Sequence, residues 1–519
     1  MKNLLLSGLV LLFIISTVPC FGQNVTITPN GITPAVSGDL PRLTYDEILA
    51  LPTPSVGDMA IDLTYKTLRF YNGSDWVYFL SASQEQQPLL TGFGLKGDST
   101  EYITSIDFDS NDNICMAGIF NGTLKGVGNV TYTGGGSFIV KSNLQGEISF
   151  AKVLPGTLTI LDMVLDDADN MYVTGYFTGT HEFSPSLIIN SAGNNDMFTA
   201  KFDSNGNPIW AISSGGTERD VGLKIILDTS GDVVVCGEYN GVASFSGLNL
   251  SSEGSSDIFL TVYNSSTGAL SRINRLGGTG HDELDGLSLK SNGEIVLGGS
   301  FTNTLEIGAD TYTDVYHNPH FIATLNLVSN TWVDSFVLKT GCSTMAFEID
   351  SIDNVLVSGF FEDSVMLNGA NLAAYSGVDE GLFVVKLDDS ETLLWKHFFE
   401  TDNSNQPLFL KLDKSSQDVY LASTIPSDIK FYDKTISDYG NARSFFAKIS
   451  SFGTYKWSRS FRGISAPNGL AFFEGDDSMY GFGLFINELG LDNIIISPTN
   501  FSEPISENEL DSYVIKIQE

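Results

Sequence analysis

Basic residues are scarce in this chain: 27 Lys and Arg stand against 62 Asp and Glu, a formal charge of −35. Such a field repels nucleic acid and anionic membrane surfaces, so neither is expected as a partner, and the charge reads as solubility outside the cytoplasm. Cysteine is as sparse. Besides Cys20 there are Cys115, Cys236 and Cys342, an odd number with no CxxC spacing, which excludes a disulfide framework and a cysteine zinc site. Cys115 and Cys236 fall inside strand patterns and are expected to be buried free thiols. The five histidines, His181, His281, His317, His320 and His397, fit neither HExxH nor any triad spacing, and GxSxG is missing too. His317 and His320 in YHNPH have no evident third ligand, so no metal site is expected. Past the N-terminus no apolar run approaches the ~20 residues of a membrane span.

At the N-terminus itself, Lys2 precedes LLLSGLVLLFIIS, which exits through the small and polar residues of TVPCFGQ. Basic start, apolar middle and small-residue exit read as a signal peptide over residues 1–22, cleaved after Gly22. The alternative is lipid attachment at Cys20, which Pro19 fits badly. Either way the chain is expected to be secreted, periplasmic or on a bacterial cell surface.

What the chain has in abundance is a repeat. NICMAGIF begins at 113, NMYVTGYF at 170, DVVVCGEY at 232, EIVLGGSF at 294, NVLVSGFF at 354, DVYLASTI at 418 and SMYGFGLF at 478, a spacing of 57 to 64 residues. Self-similarity at one period means stacked supersecondary units. A second motif follows each copy: FIVK at 138, FTAK at 198, FLTV at 259, FIAT at 321, FVVK at 383, FFAK at 445 and YVIK at 513. A turn and a further strand come next, often with Trp (Trp210, Trp332, Trp395, Trp457), and an alternating run such as ITSIDFD precedes each unit. Four short strands per repeat with no helical period predict a seven-bladed β-propeller of four-stranded antiparallel blades over residues 88–519. The last repeat stops after its third strand, and PLLTGFGLKGDS at 88–99 resembles a fourth, so an N-terminal strand is expected to close the ring. The long excursion after each second strand predicts an added hairpin.

These motifs resemble the bacterial SBBP-type β-propeller repeat family. The second repeat carries its pattern nearly throughout: Tyr172–Gly175, Phe177–Thr180, Asp196, Phe198, Lys201, Trp210, Gly215–Thr217 and Asp220. The sixth and seventh repeats depart most, losing the GGT exit and, in the sixth, the glycine. The resemblance implies secreted or cell-surface propellers and carries no shared catalytic set.

Residues 23–87 differ in character. LTYDEILAL at 43–51, with Thr44 and Glu47 as a capping box and Pro52 as its stop, predicts a short helix. GDMAIDLTYKTLRFYNGSDWVYF at 57–79 predicts a hairpin around Asn72-Gly73. Helix plus hairpin resembles the stem modules found ahead of surface and fibre-like bacterial proteins.

Candidate chemistry is thin. GFGLKG at 92–97 matches GxGxxG, but a strand pattern follows it where a phosphate cradle needs a helix N-terminus. The turns DSNDN, DADN, DSNGN and EGDDS hold carboxylates, yet calcium needs six or more converging oxygens and no complete motif is present, so Asx turns explain them and no cofactor is expected. The remaining candidates are the loops entering the innermost strands, with Glu101, Asp220, His281 and Asp282 beside Glu283, Asp402 and Asn403. Such loops gather around the channel mouth, where ring folds form concave sites. Two readings are open: an acidic rim for a ligand, or turn caps common to the repeat. The expected role is a non-catalytic binding or scaffolding surface for an extracellular protein or glycan. A polysaccharide hydrolase or lyase acting through the rim, and a structural component of a surface layer or fibre, are the alternatives.

Overall fold

The computed structural model describes short runs between residues 25 and 78, most of 90–400 and 408–496 apart from some loops, and 510–517. The proposed signal peptide with Lys2 and Cys20, and Cys342, His317, Asp402 and Asn403, lie outside the described residues. The chain divides into two compact units, one up to Pro88 and one from Leu89.

In the larger unit the alternating runs pair into four-stranded antiparallel sheets. The first comprises Glu101–Phe108, Ile114–Phe120, Gly136–Ser142 and Ile148–Pro155, paired in that order. The second comprises Thr159–Leu165, Met171–Phe177, Asp196–Phe202 and Pro208–Gly216. The third runs from Asp220–Leu227 to Leu270–Leu276, the fourth from Asp282–Leu289 to Thr331–Lys339, the fifth from Met345–Ile349 to Leu393–Glu400, and the sixth from Leu408–Leu412 to Tyr455–Arg462. The chain is a β-propeller, and its core lies between blades. Cys115 and Ile139 of the first sheet pack in one cluster with Ile160, Met163 and Phe198 of the second. Middle strands are therefore covered on both faces: every residue of Val233–Tyr239 and of Asp257–Tyr263 is buried. That is why these strands read as nearly continuous apolar runs, whereas the first strands alternate.

The expected seven blades are not supported. Six are continuous stretches, and the last repeat supplies only Ser465–Phe473, Ser478–Ile486 and Leu510–Ile517. The fourth place of that sheet is taken by Leu90–Gly97, paired antiparallel with Leu510–Ile517 from Ser512↔Leu95 to Ile517↔Leu90. This composite sheet packs on both neighbours. Ala471, Tyr480 and Val514 join Ile106, Met116 and Phe138 of the first blade in one cluster, and its first strand lies against that of the sixth.

The repeated glycine has a cross-strand reason. Gly118 faces Phe138, Gly175 faces Phe198, Gly237 faces Phe259, Gly299 faces Phe321 and Gly359 faces Phe383. A Cβ on Gly118 would stand 2.2 Å from the Tyr102 carbonyl oxygen and 2.5 Å from the Phe138 ring, so the glycine admits both the close first-strand backbone and the aromatic. Each of these phenylalanines is fully buried, worth about 1.5–3 kcal/mol. The sixth repeat, which lacks the glycine, opposes Phe445 with the small Ser423.

The expected hairpins are present, and several clasp a neighbour. The hairpin Val242–Phe245/Leu248–Ser251 of the third repeat pairs with the outer strand of the second blade, Gly215↔Ser244 and Gly216↔Ala243. Hairpins of the fifth, sixth and last repeats extend the fourth, fifth and sixth blades in the same way.

The N-terminal unit differs from helix plus hairpin. Its sheet has four strands, ordered Arg42–Leu43, Met59–Asp62, Thr67–Tyr71 and Trp76–Tyr78. Leu43, expected to open the helix, instead pairs in parallel with Asp62. Of the predicted helical residues only Glu47 and Ile48 are described as helical, and Ile48 packs against Ala60. A nine-residue helix is marginal on its own, and strand pairing plus burial outcompetes its first turn.

Candidate functional site: the rim carboxylates

Three of the four candidate residues occupy equivalent positions. Glu101, Asp220 and Asp282 open the first strands of the first, third and fourth blades, opposite Phe120, Tyr239 and Phe301. All three are fully buried, so they share a level of the ring without meeting in one exposed site. The GGT-x-x-D motif shows why. The Gly216 N–H donates to Asp220 Oδ2 at 2.6 Å and the Gly278 N–H to Asp282 Oδ2 at 2.8 Å, each carboxylate closing the turn that enters its own strand. His281 is exposed, with Nε2 2.9 Å from Glu283 Oε1 and Nδ1 3.4 Å from Ser255 Oγ.

Two further carboxylates, not singled out by the sequence reading, stand beside these. Asp196 and Asp257 of the D-x-F motif are buried and accept from the Ala192 and Glu253 N–H groups. Asp196 flanks Gly215 together with Asp220, and Asp257 abuts Gly277 in the turn that Asp282 closes. In the second of these pairs Arg275 Nε donates to Asp257 Oδ2 at 2.6 Å. Among the described residues no such cation is found on the first: Arg275 is the register partner of Phe259, and the residue opposite Phe198 is Ser213. Burial pushes Asp220 up to about 7, with Asp196 and Glu218 adding to it against the N–H groups of Gly216 and Asn240. Burial likewise raises Asp282 to about 7, Asp257 adding to it and Arg275 opposing. The recurrence of D-x-F and GGT-x-x-D at fixed offset was the signal that could have paired these residues.

Inside the ring, first strands of successive blades are tied by charged side chains. The Leu165 N–H donates to Asp107 Oδ2 at 2.8 Å and the Ile225 N–H to Asp162 Oδ2 at 3.0 Å. Lys411 Nζ lies 2.6 Å from Glu348 Oε1, and its charge is favoured first by Glu348 and then by Asp162 and Asp107, from the first strands of the second and first blades. The Lys411 side chain is 37% exposed.

The opposite end of the blades carries the rest of the repeat motif. Lys141 pairs with Asp109 at 2.9 Å and Lys386 with Asp350 at 2.8 Å, and their ammonium groups also reach Ser204 O and Ser451 O in the next blade. Trp210 and Trp395 donate Nε1–H to Ser265 O and Ser451 O, again in the next blade, both at 3.0 Å. The turns DSNDN, DADN and DSNGN are Asx turns, while EGDDS falls mostly outside the described residues: Asp109 Oδ1 accepts from the N–H groups of Asn111 and Asn113. Asp169, with φ +60°, holds Ser110 of the preceding blade through both its oxygens. Among the described residues no group of three or more His, Cys, Asp or Glu is placed to hold a metal ion. Burial pushes the Cys115 thiol up to about 12 and raises Cys236 as well, so both are inert.

No model of a known protein family matches the chain, so membership of the SBBP-type repeat family is not shown. An uncharacterized WD repeat-containing protein of Acanthamoeba polyphaga mimivirus is 24% identical over 156 residues, covering 26% of this chain and 11% of that protein. Among solved structures, the WD40 domain of Toxoplasma gondii coronin is similar with a TM-score of 0.43 and 9% identity, covering 84% of this chain and 87% of that one. The Dos1 propeller is similar with a TM-score of 0.40 and 10% identity, over 82% of this chain and 95% of that one. An ulvan lyase also aligns, with a TM-score of 0.40 and 9% identity, over 76% of this chain and 93% of that one.

Proposed function

We propose that this chain is an exported, non-catalytic binding or scaffolding propeller, a ring of seven blades with the composite sheet as the seventh, of the SBBP-type repeat kind. Its partner is an extracellular protein or glycan. The observation that supports this reading is the engagement of the rim carboxylates. Hydrolysis of a glycosidic bond asks two carboxyl groups to reach the sugar from opposite sides. Asp220 and Asp282 reach the Gly216 and Gly278 N–H groups instead and are fully buried. Accessible side chains on this rim include His281 with Glu283 and, in the equivalent turn, Glu218 and Arg219, a surface for recognition.

The test is to incubate residues 23–519 with a panel of polysaccharides, recording binding and chain cleavage together, and to run envelope pull-downs with the same protein. Capture of a glycan or a defined protein without cleavage is the expected result. Cleavage that disappears when Asp220 and Asp282 are both changed to Asn would overturn the reading in favour of an acidic-residue hydrolase or lyase.

A further inference from the structure

The two acid pairs on the rim form an internal comparison. In the pair Asp257–Asp282 an arginine supplies positive charge, with Arg275 Nε on Asp257 and Nη1 on Glu253. In the pair Asp196–Asp220 the register-equivalent residue is Ser213, and Asp196 Oδ1, like Asp257 Oδ1 and Asp282 Oδ1 of the other pair, is buried with no hydrogen-bond partner among the described residues. The two carboxyl groups are close neighbours. A Cβ on Gly215 would stand 2.9 Å from Asp196 Oδ1 and 2.8 Å from Asp220 Oδ2, so these oxygens are separated by no more than the sum of those distances. Two adjacent carboxylates out of water cannot both stay ionised without a counter-charge.

We propose that Asp196 and Asp220 hold one proton between them, and that this proton latches the Gly215–Thr217 turn at the junction of the second and third blades. Protonation of either carboxyl leaves one negative charge where there would be two. The surrounding groups favour this arrangement. Glu218 in the same turn adds negative charge, Arg219 is turned to Glu238 at 3.2 Å, and the Gly216 and Asn240 N–H groups stabilise Asp220 without supplying a full positive charge. Burial also holds Asp196 above the usual carboxylate range.

The latch has something to hold. Gly215 and Gly216 pair with Ser244 and Ala243 of the third repeat's hairpin, and the Gly216 N–H is bound by Asp220. Losing the proton places two anions behind this turn and loosens the clasp together with the rim segment that follows it. The folded pair binds more protons than the unfolded chain between the ordinary carboxylate range and neutral pH, so its contribution falls as pH rises through about 7.

The test uses the full chain with chelator present, comparing unfolding midpoints at about pH 5.5 and about pH 8.5. The wild-type midpoint is expected to be lower at the higher pH. Asp220→Asn, which keeps the shape of the protonated acid, should raise the pH 8.5 midpoint by roughly 1–3 °C and leave the pH 5.5 value unchanged. Ser213→Arg, copying the arrangement of Arg275, should have the same sign. Should Asp220→Asn prove unfolded, Asp196→Asn carries the same expectation. Equal destabilisation by the Asn variants at both pH values would reduce Asp220 to a turn cap and overturn the proposal. So would a pH 8.5 midpoint in wild type that rises on adding calcium, since the charge would then be balanced by a bound cation.

Discussion

The two ends of the blades solve the same problem, joining one repeat to the next, with opposite chemistry. At the end carrying the Asx turns, each buried carboxylate has a cation or several N–H donors: Asp350 accepts from Lys386 and Asn354, and hydrogen bonds from Asn113 and Lys141 outweigh burial to hold Asp109 below its usual range. At the rim end, Asp196, Asp220 and Asp282 are buried with fewer donors, and burial lifts them above it. The first arrangement is matched to neutral pH; the second holds its acids toward the protonated form. The lesson is that a motif shared by every repeat is not by that fact equally stabilising at both ends.

The sharpest way to break this contrast is to remove a cation from the satisfied end. Lys386→Met leaves Asp350 buried and unpaired and should cost about 3–5 kcal/mol in denaturant unfolding. Next in size is the tryptophan contact. Trp210→Phe loses the bond to Ser265 O and should cost about 1 kcal/mol. Trp457 is as buried and its Nε1 has no partner among the described residues, so Trp457→Phe is expected to cost less than Trp210→Phe, and equal losses in the two variants would refute the indole bond as the source. The ends should also differ in pH response. The raised rim acids, Asp220 and Asp282, give stability that declines as pH climbs through about 7. The lowered acids, Asp109, Asp166 and Asp350, give stability that is lost only as pH falls below the ordinary carboxylate range. Changing Asp282 to Asn should flatten the neutral slope and leave the acid limb untouched, read from thermal midpoints across pH. The smallest effect belongs to His281→Ala, an exposed change expected to stay within about 0.5 kcal/mol of wild type. A larger loss would show the rim histidine to be part of the fold.

Much of this architecture was legible before any coordinates. The alternation of ITSIDFD and the apolar run of DVVVCGEY distinguish a half-covered inner strand from a middle strand buried on both faces. The closing role of Leu90–Gly97 followed from a last repeat that stops one strand short. The rim was legible only as a list of residue types. Nothing local says that Asp220 turns back onto Gly216 or that Asp196, 24 residues earlier, ends beside it around Gly215. The helix predicted over 43–51 failed for a related reason, since a strand partner 19 residues away, Asp62, settled the conformation of Leu43.

The sequence by itself determined the repeat, the four-strand unit and the acidic character of the chain. These depend on periodicity and on neighbours at fixed offsets, which a linear chain displays directly. Only the tertiary structure decided which carboxylates have a cation and which are left to burial, because ion pairing and desolvation are set by distances across blade junctions. Ser213 and Arg275 look like unremarkable strand residues in the chain, and the fold alone makes them the difference between two otherwise equivalent acid pairs.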